Sequence, residues 1–344
     1  MKMNPVYKRE LKVGSRSVRM AMILMVFNGI LSAVALFNMY SAVEQVKMTA
    51  EIQYSRFLQL YVFVASIEFI MLMFIMPALT SNSISGERER QTLDLMLTTT
   101  MKPGEIVKGK LAAAFTTMLL LVLSSFPVLS LVFVYGGITA TDMVQLLLCY
   151  VTVALFSGAV GVFFSALMKR STLANVCSYV TIIFLVAGTY GANIFAYRMS
   201  QNEISSYMDA VDNVIGQASS GGSIYMMLLN PAVTFYTMIN QQAGDSDVVG
   251  TLEQLFGVHQ QNFLIGHWTW ISIVVQILAA VLLIVAAIMI VTPACERNRY
   301  TFWNKRETGG KENGIERSRK ENKKQQPENN DSKAEKTEKK QTGE

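Results

Sequence analysis

The sequence predicts an all-α membrane protein with six transmembrane helices. Three observations carry that reading. Six apolar runs of about 20 residues or more are each long enough to cross a bilayer core as helix. A strongly polar island at 81–110 separates the second run from the third. Lysines and arginines gather in alternate loops, as membrane topology requires. The chain average does not decide the class: 344 residues at 51% hydrophobic and 16% charged, with mean hydropathy +0.32, is within reach of a soluble domain. The clustering of the apolar residues decides it.

Residues 1–19 carry Lys2, Lys8, Arg9, Lys12, Arg16 and Arg19 against one acid, Glu10. They predict a short interfacial helix with its basic side chains toward lipid phosphates. The first span runs from Met20 to about Tyr40 and is too long for the apolar core of a signal peptide. A mixed-charge link at 41–56 leads to the second span, Phe57 to Thr80, which contains Glu68. The third span, about Leu111 to Tyr135, carries Pro127, a residue that membrane helices tolerate. Gly136-Gly137 ends it, and the fourth runs from Met143 to Met168, with Ser157, Gly158 and Gly161 as a small-residue patch for close helix contact. After Lys169-Arg170-Ser171 the fifth span runs from Leu173 to about Tyr197.

Residues 198–266 form the longest break outside the tail. Within them 223–240 is apolar but interrupted at Asn230-Pro231, which suits an interfacial or re-entrant helix pair better than a span. The sixth span is Trp268 to Val291, with His267, Trp268 and Trp270 as an interface belt. Basic residues at the N-terminus, in the 81–110 loop (Arg88, Arg90, Lys102, Lys108, Lys110), at Lys169-Arg170 and in the tail outweigh Lys47, Arg56 and Arg198 on the other side. Both termini are therefore expected in the cytoplasm. A seventh span at 223–240 would put the Lys-rich tail outside. Residues 293–344 form a cytoplasmic tail, and its charged part from 304 onward lacks the apolar surface to offset ordering entropy and is expected to be disordered.

The polar island has its own organisation. Glu87, Arg88, Glu89 and Arg90 alternate in sign and lead into Leu93, Leu95, Met96 and Leu97. Ser85 is placed to cap a helix here, with Glu87 in the first turn where the helix dipole favours a carboxylate. Glu87 with Arg90, and Arg90 with Asp94, can pair along one face. Three threonines and Pro103-Gly104 end the segment, so a short amphipathic helix over about 84–97 is expected.

Pro77, then Ser85-Gly86-Glu87-Arg88-Glu89-Arg90-Gln91-Thr92-Leu93, then Lys102-Pro103, Ile106-Val107 and Gly109-Lys110 resemble the cytoplasmic loop of ABC-2 type permeases, the membrane subunits of ATP-binding-cassette exporters. Asn4-Pro5 with Arg9-Glu10-Leu11 is similar to the start of many such permeases. The family usually has Gly where this chain has Gln91. The resemblance implies a type V exporter-like fold, with a coupling helix at 84–97 in a cleft of an ATPase subunit and re-entrant outer helices between spans five and six. It implies that Leu93, Leu95 and Leu97 pack into that cleft, while Glu87, Arg88, Glu89, Arg90 and Thr92 set the register. The implied partners are a dimer of P-loop ATPase subunits and a second permease copy, identical or homologous, in the plasma (inner) membrane. ATP and magnesium would sit on the ATPase, with no cofactor on this chain.

The residues agree that chemistry lies elsewhere. Gly104 to Lys110 matches the GxxxxGK half of a phosphate-binding loop, but Leu111 stands where Ser or Thr should hold magnesium, and no strand precedes it. There is no GxSxG, HExxH or CxxC pattern. The histidines are His259 and His267, and the cysteines Cys149, Cys177 and Cys295 have no metal or redox spacing. The net charge of +5 follows topology and does not ask for nucleic acid. Glu68 stands apart, because a mid-membrane charge costs about 3 kcal/mol on insertion scales. It is either a translocation-path or proton group, or a protonated acid bonded to a neighbour such as Asn28, Asn175 or Asn193 that helps helices pack. The expected function is the permease subunit of an ABC-2 exporter. The alternatives are an ion-coupled secondary transporter using Glu68 and a non-transporting membrane partner of an ATPase.

Overall fold

The computed structural model describes residues 4–49, 54–93, 103–136, 138–208, 218–244, 247–257 and 262–292. Asp94, Leu95, Leu97, the Lys102 end of the polar island and the tail at 293–344 lie outside them. Helix α1 (Pro5–Ser15) is followed by α2 (Val18–Thr49), α3 (Tyr54–Thr80), the five-residue α4 (Ser85–Glu89), α5 (Pro103–Gly136) and α6 (Ala140–Leu167). Span five is α7 (Ser171–Ile183), a π turn at Phe184–Gly188, and α8 (Thr189–Met208). A 3-10 helix at Gly221–Leu229 then leads to α9 (Pro231–Ala243), α10 (Val248–Phe256), α11 (Phe263–Gly266) and α12 (Trp268–Val291). Six helical stretches are long and apolar enough to cross a membrane, and no strand occurs among the described residues beyond one isolated bridge, Ser219 to Gly257.

Each predicted span is a helix, most of them longer at the ends than the apolar run. The fourth is the hub: 72% of its apolar window is buried, against 11% for the first and 17% for the fifth. It packs most heavily on α12 and α3. Lipid tails are as apolar as leucine, so such contacts are held by close packing. The small-residue patch provides it: a Cβ on Gly158 would lie 3.1 Å from Met76 Cε, and one on Gly161 only 2.0 Å from Thr80 Oγ1. Around the hub a large core joins Phe27, Leu31, Leu72, Met76, Met118 and Tyr150.

The break at 198–266 contains the two short apolar helices that Asn230-Pro231 divides. Asn230 holds them in place: its Oδ1 accepts from Ala232 N to cap α9, while its Nδ2 donates to Val186 O in the π turn and to Thr189 Oγ1. One expectation fails here. Trp268 is fully buried, packed with Ile224, Met227, Leu252 and Phe256, whereas His267 and Trp270 are exposed as expected. The helices of the 221–256 segment fold over Trp268 and take the place an interface would have had.

Candidate functional site

Helix α3 ends at Thr80, whose Oγ1 donates back to Met76 O, and the chain turns through 81–84. The α4 helix that follows has too few residues to hold itself, since one or two turns do not repay nucleation. Its N-terminus is not capped by Ser85, as expected, but by a side chain from another span. Ser165 Oγ of α6 accepts from Ile84 N (2.8 Å) and Ser85 N (3.0 Å), and Ser85 Oγ instead donates to Ser81 O. Ile84 occupies the cap position with no side-chain oxygen to offer, so the buried N–H groups need an outside acceptor.

Two charged residues of α4 complete two other helices. Arg88 donates from Nη1 to Met168 O and from Nη2 to Ala166 O, both at 3.1 Å. These are C-terminal carbonyls of α6, left without intrahelical partners and at the negative end of its dipole. Glu89 accepts from Ser171 N and Ser171 Oγ, both at 2.8 Å, at the N-terminus of α7. There the free N–H groups and the dipole favour a carboxylate. One dipeptide therefore closes the end of one span and the start of the next, clamping the 168–170 link between them.

Glu87 takes a third direction. Its Oε1 accepts from Lys110 Nζ at 3.0 Å, and Thr92 Oγ1 donates to its backbone oxygen and to Oε2. Lys110, on the first turns of α5, also donates to Glu10 Oε1 of α1 at 2.9 Å. Its side chain is only 7% exposed. The expected Glu87–Arg90 pair is replaced by this one for a physical reason: a buried ammonium needs partners, whereas Arg90 faces solvent and does not. The stretch that mimicked a phosphate-binding loop is thus the start of α5, its lysine held between two carboxylates. Helix α1 itself lies along α5, with Asn4 Nδ2 donating to Glu105 O and the Tyr7 hydroxyl bonded to Thr116 Oγ1.

Within the expected 84–97 stretch a turn at 90–91 interrupts the helix, which resumes at Thr92 and Leu93, and 94–97 lie outside the described residues. Helix α4 ends at Glu89, and Gln91 adopts φ +58°, the left-handed conformation that favours glycine. Gln91 is exposed, so Gln91→Gly should lose no packing and stabilise the chain by about 1 kcal/mol. A raised thermal midpoint in detergent checks this. Beyond the turn Leu93 is 6% exposed and packs on Ile84, Val107, Leu111, Val162 and Ala287 of its own chain.

Glu68 lies elsewhere, in the interior of the bundle and fully buried. Its Oε1 accepts from Ser125 Oγ of α5, while Oε2 has no partner among the described residues. None of the asparagines expected beside it serves: Asn28 donates to Ser124, Asn175 accepts from Ser81, and Asn193 pairs with Ser223. No cluster of three or more His, Cys, Asp or Glu among the described residues has metal-site geometry.

The structure therefore gathers Glu87, Arg88, Glu89 and Thr92 into one clamp, leaves Arg90 exposed, and draws Leu93 inward. The sequence reading missed Ser165, Ser171 and Glu10 as partners. Each lies about 80 to 100 residues from the group it meets, beyond any local spacing rule.

Five apolar helices round a buried fourth span, with a polar loop clamped to the ends of three of the six, define a multi-pass membrane protein. The comparison with protein families agrees: residues 27–289 match the ABC-2 family transporter proteins. The chain belongs to that family and is a membrane transport component of it. No curated protein matches the sequence.

Proposed function

We propose that this chain is the membrane-spanning subunit of an exporter driven by ATP hydrolysis on a separate subunit, with α4 as the coupling helix. The clamp is the observation that carries the reading. Helix α4 is bonded to α6 through Ser165 and Arg88, to α7 through Glu89, and to α5 and α1 through Glu87 and Lys110. A push on this small helix therefore reaches four helices at once. By charge placement the α4 end and both termini lie in the cytoplasm, and the membrane is the plasma (inner) membrane. The helices of 221–256 are then re-entrant outer helices. Two permease copies, identical or homologous, line the route, and a P-loop ATPase dimer carries ATP and magnesium.

Because Glu87, Arg88 and Glu89 are engaged within the chain, they support α4 more than they touch a partner. Leu95 and Leu97, by family likeness, are left to meet the ATPase cleft. The test is a mild-detergent pull-down with an ATPase assay. A P-loop ATPase should co-purify with the parent chain. It should be lost at least about tenfold in Leu95→Asp/Leu97→Asp, with insertion unchanged, since charges enter an apolar cleft only at a cost of over about 1.4 kcal/mol. A stable chain isolated with no ATPase would end this reading.

Glu68 is proposed as a packing acid that ties α3 to α5. Glu68→Gln keeps an acceptor for Ser125 in nearly the same shape and should change stability by less than about 1 kcal/mol, with transport retained. Loss of transport at unchanged stability would point instead to a proton-carrying group.

A further inference from the structure

The clamp has a hollow beside it. A cavity of about 370 Å³ lies where α1, the start of α2, the end of α3, α4 and the first turns of α5 meet. Its two sides differ in kind. Met20, Ile23, Leu79 and Leu120 make it apolar on one side, and Leu120 is itself 47% exposed. That wall runs on into the outward-facing Met22, Met25 and Val26 of α2 and Leu123 of α5. In a six-span protein these faces meet acyl chains. The cavity therefore opens along a path that a lipid tail can follow.

The other side is polar and charged, and its hydrogen bonds can be accounted for. Glu87 is used twice over, by Lys110 and Thr92, and Lys110 is shared between Glu87 and Glu10. Three groups on the wall remain open. Arg90 makes no side-chain hydrogen bond or ion pair among the described residues. Glu10 gives only Oε1 to Lys110, and its side chain is 34% exposed. Ser83 Oγ is buried with no hydrogen-bond partner among the described residues. A lone buried hydroxyl carries a desolvation cost until something bonds to it.

The geometry points to a resident phospholipid in this cavity, its phosphate on Arg90 and Ser83 and its amine toward Glu10. A guanidinium suits a phosphate because its planar fork presents two donors at once. The carboxylate opposite favours a head group that carries a positive charge, and the charged lining residues cancel, with Arg90 and Lys110 against Glu10 and Glu87. A zwitterionic phosphoethanolamine head matches that balance, whereas a purely anionic head leaves Glu10 facing a like charge. The volume falls within the range of small-molecule sites, about 300–1,000 Å³. It accommodates the head group and glycerol while the tails leave along α2 and α5. The lipid would fill the space under α4, so its presence would hold the clamp in register. This inference needs the membrane reading but not the ATPase.

The test uses the full chain in mild detergent, stripped of lipid and then exchanged into nanodiscs. One set contains phosphatidylethanolamine with phosphatidylcholine, the other phosphatidylglycerol with phosphatidylcholine. Native mass spectrometry after release into detergent reads the phospholipid retained per chain. The expected result is one phosphatidylethanolamine per chain, retained at least about fivefold over phosphatidylglycerol, the ratio given by roughly 1 kcal/mol. Ala113→Trp, which fills the cavity from α5, and Arg90→Ala, at an exposed position that folding does not need, should each lower retention about tenfold. Inorganic phosphate at millimolar concentration should not displace the lipid. Retention unchanged in Arg90→Ala would overturn the proposal. Equal retention of phosphatidylglycerol, or displacement by inorganic phosphate, would overturn the zwitterionic lipid assignment in favour of a plain anion site.

Discussion

Gly161→Ala should be among the most damaging single substitutions in this protein, although it adds one methyl group. The new Cβ would stand 2.0 Å from Thr80 Oγ1, 3.1 Å from Thr80 Cβ and 3.2 Å from Ser81 N. Thr80 is fully buried and its hydroxyl is bonded to Met76 O, so the side chain has nowhere to turn. The end of α3 must back away from α6, and the turn at 81–84 goes with it. Ile84 N and Ser85 N then lose Ser165, and α4 loses its cap. Overpacking costs about 1–3 kcal/mol, and with a backbone atom among the clashes the upper end applies. Thermal unfolding in detergent measures it. Thr80→Ala should return part of the loss when combined with Gly161→Ala, giving a non-additive cycle. Additive effects would mean the two residues do not meet.

Lys110→Met should be comparably severe, through charge instead of shape. The substitution strands Glu10 and Glu87 without their shared cation, and Glu87 is 17% exposed in its side chain. Breaking a buried pair by removing one partner costs about 3–5 kcal/mol, and the lower end applies because Glu10 is a third exposed. Glu10→Gln should cost far less, since Lys110 keeps Glu87. Comparing the unfolding midpoints of the two variants checks the order. On the proposed function, Lys110→Met should also uncouple ATPase stimulation from transport, because α4 would no longer be tied to α1 and α5.

The spans were legible because a bilayer imposes one requirement on every crossing segment. Backbone groups in lipid must be satisfied within the helix, and side chains must be apolar for about 20 residues. Met20 to Tyr40 and Trp268 to Val291 could be read from that alone. The break at Asn230-Pro231 was legible for a similar local reason, as a cap and a helix start side by side. The clamp was harder. Local rules found its charges and the acid in the first turn of α4, but they assigned the partners from spacings of three and four. The actual partners come from other helices: Lys110 for Glu87, Ser165 for the cap, Ser171 for Glu89. Burial reverses local preference there, as it does at Trp268, whose residue type suits an interface but whose surroundings are its own chain.

The supply of α4's supports from downstream has a consequence for the order of events during synthesis. Ser165, Ala166, Met168 and Ser171 all follow α4 by about 80 residues. At the usual pace of about 5–20 residues per second, the ribosome needs roughly 4–16 seconds to deliver them. Until spans three and four have been made, the segment 84–89 has neither a cap nor a clamp, and five residues do not form a helix unaided. Helix α4 is therefore among the last features of the first four spans to take shape. On the proposed function, a half-made permease has no finished surface for an ATPase to grip, so assembly waits for the membrane domain to be built.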